Sequence, residues 1–280
     1  MSRPGPFTLV SFHAHPDDEA LLTAGTLAGA AARGHRVVLV VATSGEAGLA
    51  AGNPSADELR ARRERELAAA AEAIGAARVV LLGHPDSGSE PGQRVPDGRV
   101  AFAELAPLKV ADELAAVLRE ERADVLTTYD AAGGYGHPDH VQVHRAGQLA
   151  AQLAGTPVVL EATVDRELLL RATRLLRGAS AVLPMPHLPD LTSAFTPHRE
   201  LTHRIDVRPQ LDQKLAALRA HASQADSDEG LRTVALLLRL PGPLRRRVLG
   251  TEWFREAGRS PGAVPLDDVF ASLRPLRVVG

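Results

Sequence analysis

The sequence predicts an α/β fold, in which an open, mainly parallel sheet carries helices on both faces and a smaller C-terminal cap. Strand-like and helix-like segments alternate through the first 165 residues, in the β-α-β-α order of parallel sheets. The segment Arg36–Thr43 is almost continuously apolar, as in a strand that is buried on both faces of such a sheet. The alternation is Rossmann-like, although no Gly-x-Gly-x-x-Gly follows the first strand, which argues against a nucleotide-binding module.

The strands of this first part are predicted from apolar runs, and its helices from the longer segments that lie between those runs. Apolar runs predict the strands Phe7–Ala14, Arg36–Thr43, Arg78–Leu82, Asp124–Tyr129 and Val158–Val164. Longer segments of mixed polarity predict the helices Asp18–Arg33, Ser55–Ile74, Glu104–Glu121 and Pro138–Leu153. The helix that begins at Ser55 has acidic residues in its first turn and is followed by Gly75, which are ordinary start and stop signals.

The alternation ends near residue 165. The later segments are a helix, a strand-like piece and two more helices, at Glu167–Leu176, Leu201–Val207, Leu211–Ala222 and Glu229–Leu238. A proline-rich connector, Leu183–Pro197, separates the first of these from the others. We therefore expect residues 1–165 to form a catalytic region, and residues 166–280 to form a cap that packs on the sheet edge within one structural domain.

Composition and charge exclude several classes of protein. The chain has 280 residues with 32 Lys and Arg against 34 Asp and Glu, so it lacks the basic surface that nucleic-acid binding needs. It contains no cysteine, and any metal must therefore bind to His, Asp or Glu side chains. The N-terminal apolar run is too short for a signal peptide or a membrane span. These features predict a cytoplasmic protein. Such a protein could form a homo-oligomer.

Two motifs concentrate residues that can bind a metal. The first, HPDDE at residues 15–19, follows the first predicted strand, and the second, YGHPDH at residues 135–140, follows the fourth. Ligands of open parallel sheets bind at the carboxyl ends of the strands, so both motifs lie where a site is expected. One His and one carboxylate from the first motif and one His from the second would leave the open position of a catalytic zinc site. The remaining Asp could act as a base and the remaining His as a donor to an oxyanion.

The two motifs together resemble a known family. HAHPDDE with GGYGHPDH is similar to the PIG-L/LmbE-type zinc deacetylases, which remove acetyl groups from molecules that contain N-acetylglucosamine. The resemblance is strongest to the actinobacterial branch that deacetylates a GlcNAc–inositol in mycothiol synthesis and cleaves mycothiol conjugates. It runs from Phe7 to about Leu149, with weaker similarity at His221–Gln224 and Gly250–Phe254.

The resemblance implies a metal site. His15, Asp18 and His140 match the family's zinc ligands, and one Zn²⁺ is expected per chain. Ligation by His and Asp also accepts Fe²⁺ or Co²⁺, so either ion could replace zinc.

The resemblance also implies catalytic roles. Asp17 matches the general base, and His137 matches the residue that stabilises the tetrahedral intermediate and can protonate the amine. Asp139 would orient His137, and Tyr135 would donate a hydrogen bond to the oxyanion.

Candidate substrate contacts are less specific. The family's substrate-binding Arg falls on Arg63 by its spacing, and an Asp after the third strand falls on Asp86. Glu46 and His84 follow predicted strands and could contact substrate, but a turn or solvent position explains each equally well. The Gly83–Gln93 loop is shorter than in the mycothiol enzymes, so the sugar specificity does not follow from the motifs.

Some motif residues also have a simpler interpretation. Asp17 or Asp18 could cap the N-terminus of the following helix, as Asp often does. His13 shares a strand face with His15 and is expected to support the site rather than bind the metal. Glu19 could either cap the helix or support the metal ligands. A single cap, however, does not explain two His-Asp motifs in one chain.

These observations predict a zinc-dependent amidohydrolase that deacetylates a small molecule containing N-acetylglucosamine or a related N-acyl amino sugar. One alternative is an amidase that acts on a larger thiol-linked or antibiotic-linked sugar conjugate. Another is a metal-binding protein without catalytic activity, although such a protein would need neither Asp17 nor His137.

Overall fold

The computed structural model describes residues 5–45, 56–88, 99–179, 191–221 and 238–274. These residues form one sheet with the strand order β3-β2-β1-β4-β5-β7-β6. The strands are β1 Thr8–His13, β2 Arg36–Thr43, β3 Arg78–His84, β4 Val125–Tyr129, β5 Val158–Thr163, β6 His203–Asp206 and β7 Thr251–Glu256. Strands β1 to β5 run parallel, whereas β7 pairs antiparallel with both β5 and β6. The predicted α/β fold with a mainly parallel sheet is confirmed.

Helices cover both faces of this sheet. They are α1 Asp18–Leu22, α2 Ala24–Ala32, α3 Ala56–Ile74, α4 Pro107–Glu121, α5 Pro138–Ala154, α6 Arg166–Ala179, α7 Leu211–Ala220 and α8 Gly242–Leu249. Most predicted helices end within a few residues of these bounds. The predicted helix Glu229–Leu238 lies almost entirely outside the described residues. Within the described ranges, no helix combines the length and apolar character needed to cross a membrane.

The two faces of β2 show why its sequence is so apolar. Val37, Leu39 and Val41 lie in a core that α2, α3 and α7 cover, whereas Val38 and Val40 lie in a second core beneath α4 and α5. All five side chains are almost completely buried. A strand with helices on both faces has no solvent-facing side, so the apolar run is continuous rather than alternating.

The prediction of a single helix over Asp18–Arg33 is wrong, because the helix is interrupted at Thr23. This residue has φ −134° and ψ −13°, outside the helical region, and separates α1 from α2. Its hydroxyl donates to the carbonyl oxygen of Glu19 at 3.1 Å and lies 3.3 Å from His13 Nε2. A threonine hydroxyl that bonds back to the preceding turn competes with regular helix geometry. The interruption leaves α1 as a short helix that begins within the first motif.

The C-terminal region contributes strands to the main sheet. Strand β7 lies between β5 and β6, with Ala162 opposite Phe254 and Ile205 opposite Glu252. The sequence predicted a strand near β6 but not at β7. The inward-facing residues of β7 include Glu252 and Glu256 beside Phe254, so the apolar alternation that marks a half-buried strand is absent. The functional division of the chain at residue 165 stays a prediction.

A buried ion pair joins three of these elements. Glu252 on β7 accepts the backbone N–H groups of Gly25 and Thr26 at the start of α2, at 2.9 and 2.8 Å. The ammonium of Lys214 on α7 lies 2.7 Å from the same carboxylate, and both side chains are almost fully buried. The carboxylate therefore stabilises the positive end of α2 and connects it to α7 and β7.

We expect Lys214→Met to lower the free energy of unfolding by about 3–5 kcal/mol, because it leaves the Glu252 carboxylate buried without its cation. Urea denaturation measures this change. Combining Lys214→Met with Glu252→Gln should recover part of the loss. An unchanged denaturation midpoint for Lys214→Met alone would contradict the account.

A pH effect is expected from His203 on β6. Its side chain is buried against Thr202, with 2.9 Å between Nδ1 and the Thr202 hydroxyl oxygen. Burial, together with the Arg259 charge, lowers the pKa of His203 to about 4. As the pH falls, His203 of the unfolded chain binds a proton near pH 6.5, well before His203 of the folded chain does. The contribution of neutral His203 to the free energy of unfolding is therefore complete above pH 6.5 and is lost as the pH falls through 4.

We expect this loss to reach about 3 kcal/mol for His203. His203→Asn keeps a donor to Thr202 and removes the titration. Unfolding free energies of both proteins between pH 7 and 4 should therefore converge as the pH falls. Parallel curves would show that His203 does not titrate in this range.

Candidate metal centre and active site

The sheet topology brings the two His-Asp motifs together. Strands β1 and β4 are adjacent and parallel at the centre of the sheet, so their carboxyl ends lie side by side. The HPDDE motif leaves β1 there, and the YGHPDH motif follows β4. The ring centres of His15 and His140 are 5.7 Å apart, although the residues are 125 positions apart in the chain.

The Asp18 carboxylate lies between two imidazoles. Its Oδ2 is 3.4 Å from His15 Nδ1, and its Oδ1 is 3.4 Å from His140 Nε2. Ligand atoms of one tetrahedral zinc ion, each at 2.0–2.1 Å from the metal, are roughly 3.3 Å apart. The two contacts use different oxygens of Asp18, and each imidazole nitrogen lies at about this spacing from the carboxylate.

His140 has a nitrogen that is available for a metal. Its Nδ1 lies 3.3 Å from the carbonyl oxygen of Gly133, to which it donates, so the lone pair is on Nε2. Among the described residues, this buried Nε2 has no hydrogen-bond partner. Since a buried nitrogen whose one polar neighbour is the 3.4 Å contact to Asp18 is costly, a cation shared with that carboxylate would account for the arrangement.

His15 is held on its other side by carboxylates. Its Nε2 lies 3.0 Å from Asp139 Oδ2 and 3.4 Å from Asp86 Oδ1. Burial alone would lower the pKa of His15, but Asp86, Asp139 and Asp18 raise it well above its usual value. A carboxylate behind the far nitrogen is the usual support of a metal-binding histidine.

Among the described residues, two groups of three ligand atoms lie within 4.8 Å of one another; each includes His15, and neither includes Asp18. One adds His137 and His140, and the other adds Asp86 and Asp139. In the first group, His137 Nδ1 accepts the backbone N–H of Asp139 at 3.2 Å, which places the ring proton on Nε2. A protonated nitrogen donates hydrogen bonds and cannot bind a metal, so His137 is a poorer third ligand than Asp18 for a cation held by His15 and His140.

Asp17 does not act as a helix cap, although it occupies the cap position of α1. Its side chain makes no capping hydrogen bond, and its backbone has φ 122°, which is rare outside glycine. Burial, followed by the charge of Asp18, raises the pKa of Asp17 to about 7, while His221 and Arg63 oppose the shift. The carboxyl group is therefore free of the helix and titrates near neutral pH.

His137 is held as a neutral imidazole. It caps the N-terminus of α5, and burial, followed by the neighbouring imidazoles of His15 and His140, lowers its pKa to about 4. Tyr135 lies at the mouth of the site, with its side chain 58% exposed and its ring edge-on to His137.

Asp139 contacts His137 through its peptide and not through its carboxylate. The carboxylate bonds His15 and the backbone N–H of Ser87 instead, at 3.0 and 3.2 Å. The predicted orienting contact to His137 is thus made by the backbone N–H of Asp139.

The structure brings only some of the candidate substrate contacts to the site. Arg63 is almost fully buried, packs against Gly45, and its charge reaches Asp17 and Asp86. The Asp86 carboxylate lies 3.4 Å from His15, as described above. His84 contacts Glu113 on α4, with 2.7 Å between Nε2 and the carboxylate oxygen. Glu46 lies outside the described residues.

Two residues at the end of β4 support the site and were not predicted from the sequence. Tyr129 is fully buried, and its ring stacks on His140 with 4.0 Å between centres and 3° between planes. Asp130 accepts the backbone N–H of Gly134 at 3.0 Å and the hydroxyl hydrogen of Thr163, which shapes the glycine-rich loop. Their only sequence signal is their position directly before that loop.

His13 lies below the site as expected for a supporting residue. Its Nε2 is 2.7 Å from the hydroxyl oxygen of Ser11 and 3.3 Å from that of Thr23, and the ring is buried. Burial lowers its pKa, which keeps the imidazole neutral within this hydroxyl network.

Comparison with known proteins agrees with the motifs. Residues 10–151 match the family described as PIG-L, GlcNAc-PI de-N-acetylase. A 1D-myo-inositol 2-acetamido-2-deoxy-alpha-D-glucopyranoside deacetylase of Nocardioides sp. is 34% identical, over 95% of this chain and 98% of the relative.

Solved structures share the fold at lower identity. N,N'-diacetylchitobiose deacetylase from Pyrococcus horikoshii is 22% identical with a TM-score of 0.57, covering 89% of this chain and 83% of that one. The 4-carboxy-2-hydroxymuconate hydratase GalB from Pseudomonas putida KT2440 is 18% identical with a TM-score of 0.60, covering 92% and 99%. Because one of these neighbours is a hydratase, the fold alone does not determine the reaction. The match over residues 10–151 and the identity over nearly the whole chain do identify the lineage: this chain belongs to the PIG-L family.

Proposed function

We propose that this chain hydrolyses the acetamide of a small molecule that contains N-acetylglucosamine and releases acetate and a free amine. The observation that carries the proposal is the Asp18 carboxylate, which lies 3.4 Å from both His15 and His140 while His140 Nε2 has no other partner among the described residues. The similarity to an inositol–GlcNAc deacetylase over 95% of the chain favours a GlcNAc–inositol as substrate.

His15, Asp18 and His140 would hold the metal, and we propose zinc. The two imidazole nitrogens and one carboxylate suit zinc and would also accept Fe²⁺ or Co²⁺. When bound, such an ion acts as a Lewis acid toward an amide carbonyl and lowers the pKa of water to about 7.

Asp17 would serve as the general base. A base works best when its pKa is near the operating pH, and burial raises the pKa of Asp17 to about 7. Its neighbour Asp18 differs, because His140 and His15 overcome the effect of burial and hold the pKa of Asp18 well below its usual value. The two adjacent aspartates would therefore have different roles. Asp18 stays ionised, whereas Asp17 can accept a proton from the attacking water and pass it to the leaving nitrogen.

His137 would stabilise the oxyanion. Its Nδ1 accepts a backbone N–H, so a neutral ring presents Nε2–H toward the metal centre. A pKa of about 4 suits hydrogen-bond donation better than transfer of a proton to the amine. The exposed Tyr135 beside it could add a second donor once substrate is bound.

Arg63 and Asp86 are the remaining candidates for substrate recognition. Both are buried beside the metal centre, where a guanidinium and a carboxylate can each bind sugar hydroxyls. A cytoplasmic location and a homo-oligomer stay predictions from the sequence.

Separate substitutions should distinguish the metal ligand from the base. We expect Asp17→Asn to lower kcat by a factor of about 10²–10⁴ with full metal content, because only proton transfer is lost. His140→Ala should lose the metal, as measured by elemental analysis after dialysis. His144→Ala is the matched control, one helical turn further along α5, where Nδ1 bonds the Tyr129 carbonyl at 3.2 Å. Metal loss in the control but not in His140→Ala would reverse the ligand assignment.

The substrate can be tested by measuring acetate release. We expect the purified zinc-loaded protein to act on 1D-myo-inositol 2-acetamido-2-deoxy-α-D-glucopyranoside with a higher kcat/KM than on N-acetylglucosamine or N,N'-diacetylchitobiose. A thiol-linked or glycopeptide conjugate of GlcNAc, assayed in the same way, tests the alternative that the enzyme acts on a larger sugar conjugate. A metal chelator should abolish the activity. No acetate from any of these compounds would reject the proposed reaction, and a preference for the conjugate would reject the proposed substrate.

A further inference from the structure

A second buried acid–histidine pair lies behind the general base. Glu19 in α1 and His221, directly after α7, are both almost completely buried, with 2.7 Å between Oε1 and Nε2. The two residues are 202 positions apart, so this contact connects the first motif to the C-terminal region. Neither residue belongs to the metal set or to the proposed acid–base set.

The other oxygen of Glu19 holds the backbone of Asp17. Glu19 Oε2 accepts the Asp17 backbone N–H at 2.9 Å. Asp17 has φ 122° and ψ −29°, a strained conformation for a residue with a side chain, which persists only where the surroundings enforce it. Glu19 provides such enforcement, because its own position is determined by the buried contact with His221.

The strained backbone changes what the Asp17 side chain does. An Asp at the N-cap normally has an extended backbone and accepts a helix N–H with its carboxylate. In a capping box, the side chain of a Glu at the third helical position also accepts the backbone N–H of the cap residue. Glu19, at the second helical position, accepts the Asp17 N–H in a similar way, but the Asp17 carboxylate makes no capping hydrogen bond. The carboxylate of Asp17 is thereby available for chemistry.

We propose that Glu19 and His221 are positioning residues, which hold Asp17 in its strained conformation and keep its carboxylate out of the helix cap and in the active site. This inference rests on the proposed role of Asp17 as the base. It also gives the C-terminal region a part in catalysis, since His221 supplies the partner that the buried Glu19 carboxylate requires. Burial alone would lower the pKa of His221, but Glu19 and then Asp17 raise it to about 8, in keeping with a charged pair at neutral pH.

Two pairs of variants test the inference kinetically. Glu19→Ala removes the bond to Asp17, and we expect kcat to fall at least tenfold, with KM within twofold and metal content unchanged. Glu19→Gln keeps an acceptor of the same length and should restore most of kcat. His221→Gln, whose amide can replace Nε2 as donor, should likewise retain more activity than His221→Leu.

Glu252→Ala is the matched control, because Glu252 is also a buried carboxylate that accepts backbone N–H groups and pairs with a cation on α7. It should lower the denaturation midpoint without changing kcat. An equal loss of kcat in Glu252→Ala and Glu19→Ala would overturn the inference in favour of general destabilisation. Equal activity of His221→Gln and His221→Leu would overturn it as well.

A crystal structure of Glu19→Ala, or of His221→Leu if the former does not fold, tests the inference without any assay. We expect Asp17 to adopt a negative φ and its carboxylate to cap α1. An unchanged Asp17 would overturn the inference even if the protein proves active. If the wild type releases no acetate from any substrate, the proposed function fails, but this structural result still decides whether Glu19 and His221 hold Asp17.

Discussion

The placement of one carboxylate between two histidines is the constraint on which the rest of the site depends. Asp18 reaches both His15 and His140 only because β1 and β4 are neighbouring parallel strands whose carboxyl ends meet at the same sheet edge. The stacked ring of Tyr129 and the carbonyl of Gly133 then fix the orientation of His140. A donor set assembled in this way is rigid before any metal binds, which lowers the entropic cost of coordination.

Neighbouring side chains give chemically similar buried residues different pKa values. Asp17 and Asp18 are neighbours, yet burial raises the pKa of the first, whereas two imidazoles lower that of the second. His15 and His137 differ in the same way, because carboxylates surround the former and other imidazoles surround the latter. Environment rather than residue type therefore distinguishes the proposed base, the proposed metal ligands and the proposed neutral donor, as is common where acid and base chemistry share one pocket.

The sequence indicated those parts of the molecule that depend on local pattern. The apolar run of β2 and the two His-Asp motifs at strand ends were enough to predict the sheet and the meeting point of the site. Contacts between distant segments leave no such pattern: the pairing of Glu19 with His221 and the carboxylate contact of Asp139 with His15 are decided by packing. Strand β7 was not predicted for a related reason. Its inward-facing glutamates have partners in the folded protein, but in the sequence they resemble surface residues.

The position of β7 also affects how the protein can be assembled during synthesis. Both His-Asp motifs and the five parallel strands are translated before residue 165, but the outer edge of β5 has its partner only when residues 251–256 are available. Until then the nascent chain exposes an unpaired strand, which is prone to associate with other chains. Shortened versions that stop after β5 should therefore aggregate rather than give a minimal enzyme, because β7, the last strand among the described residues, is missing from them.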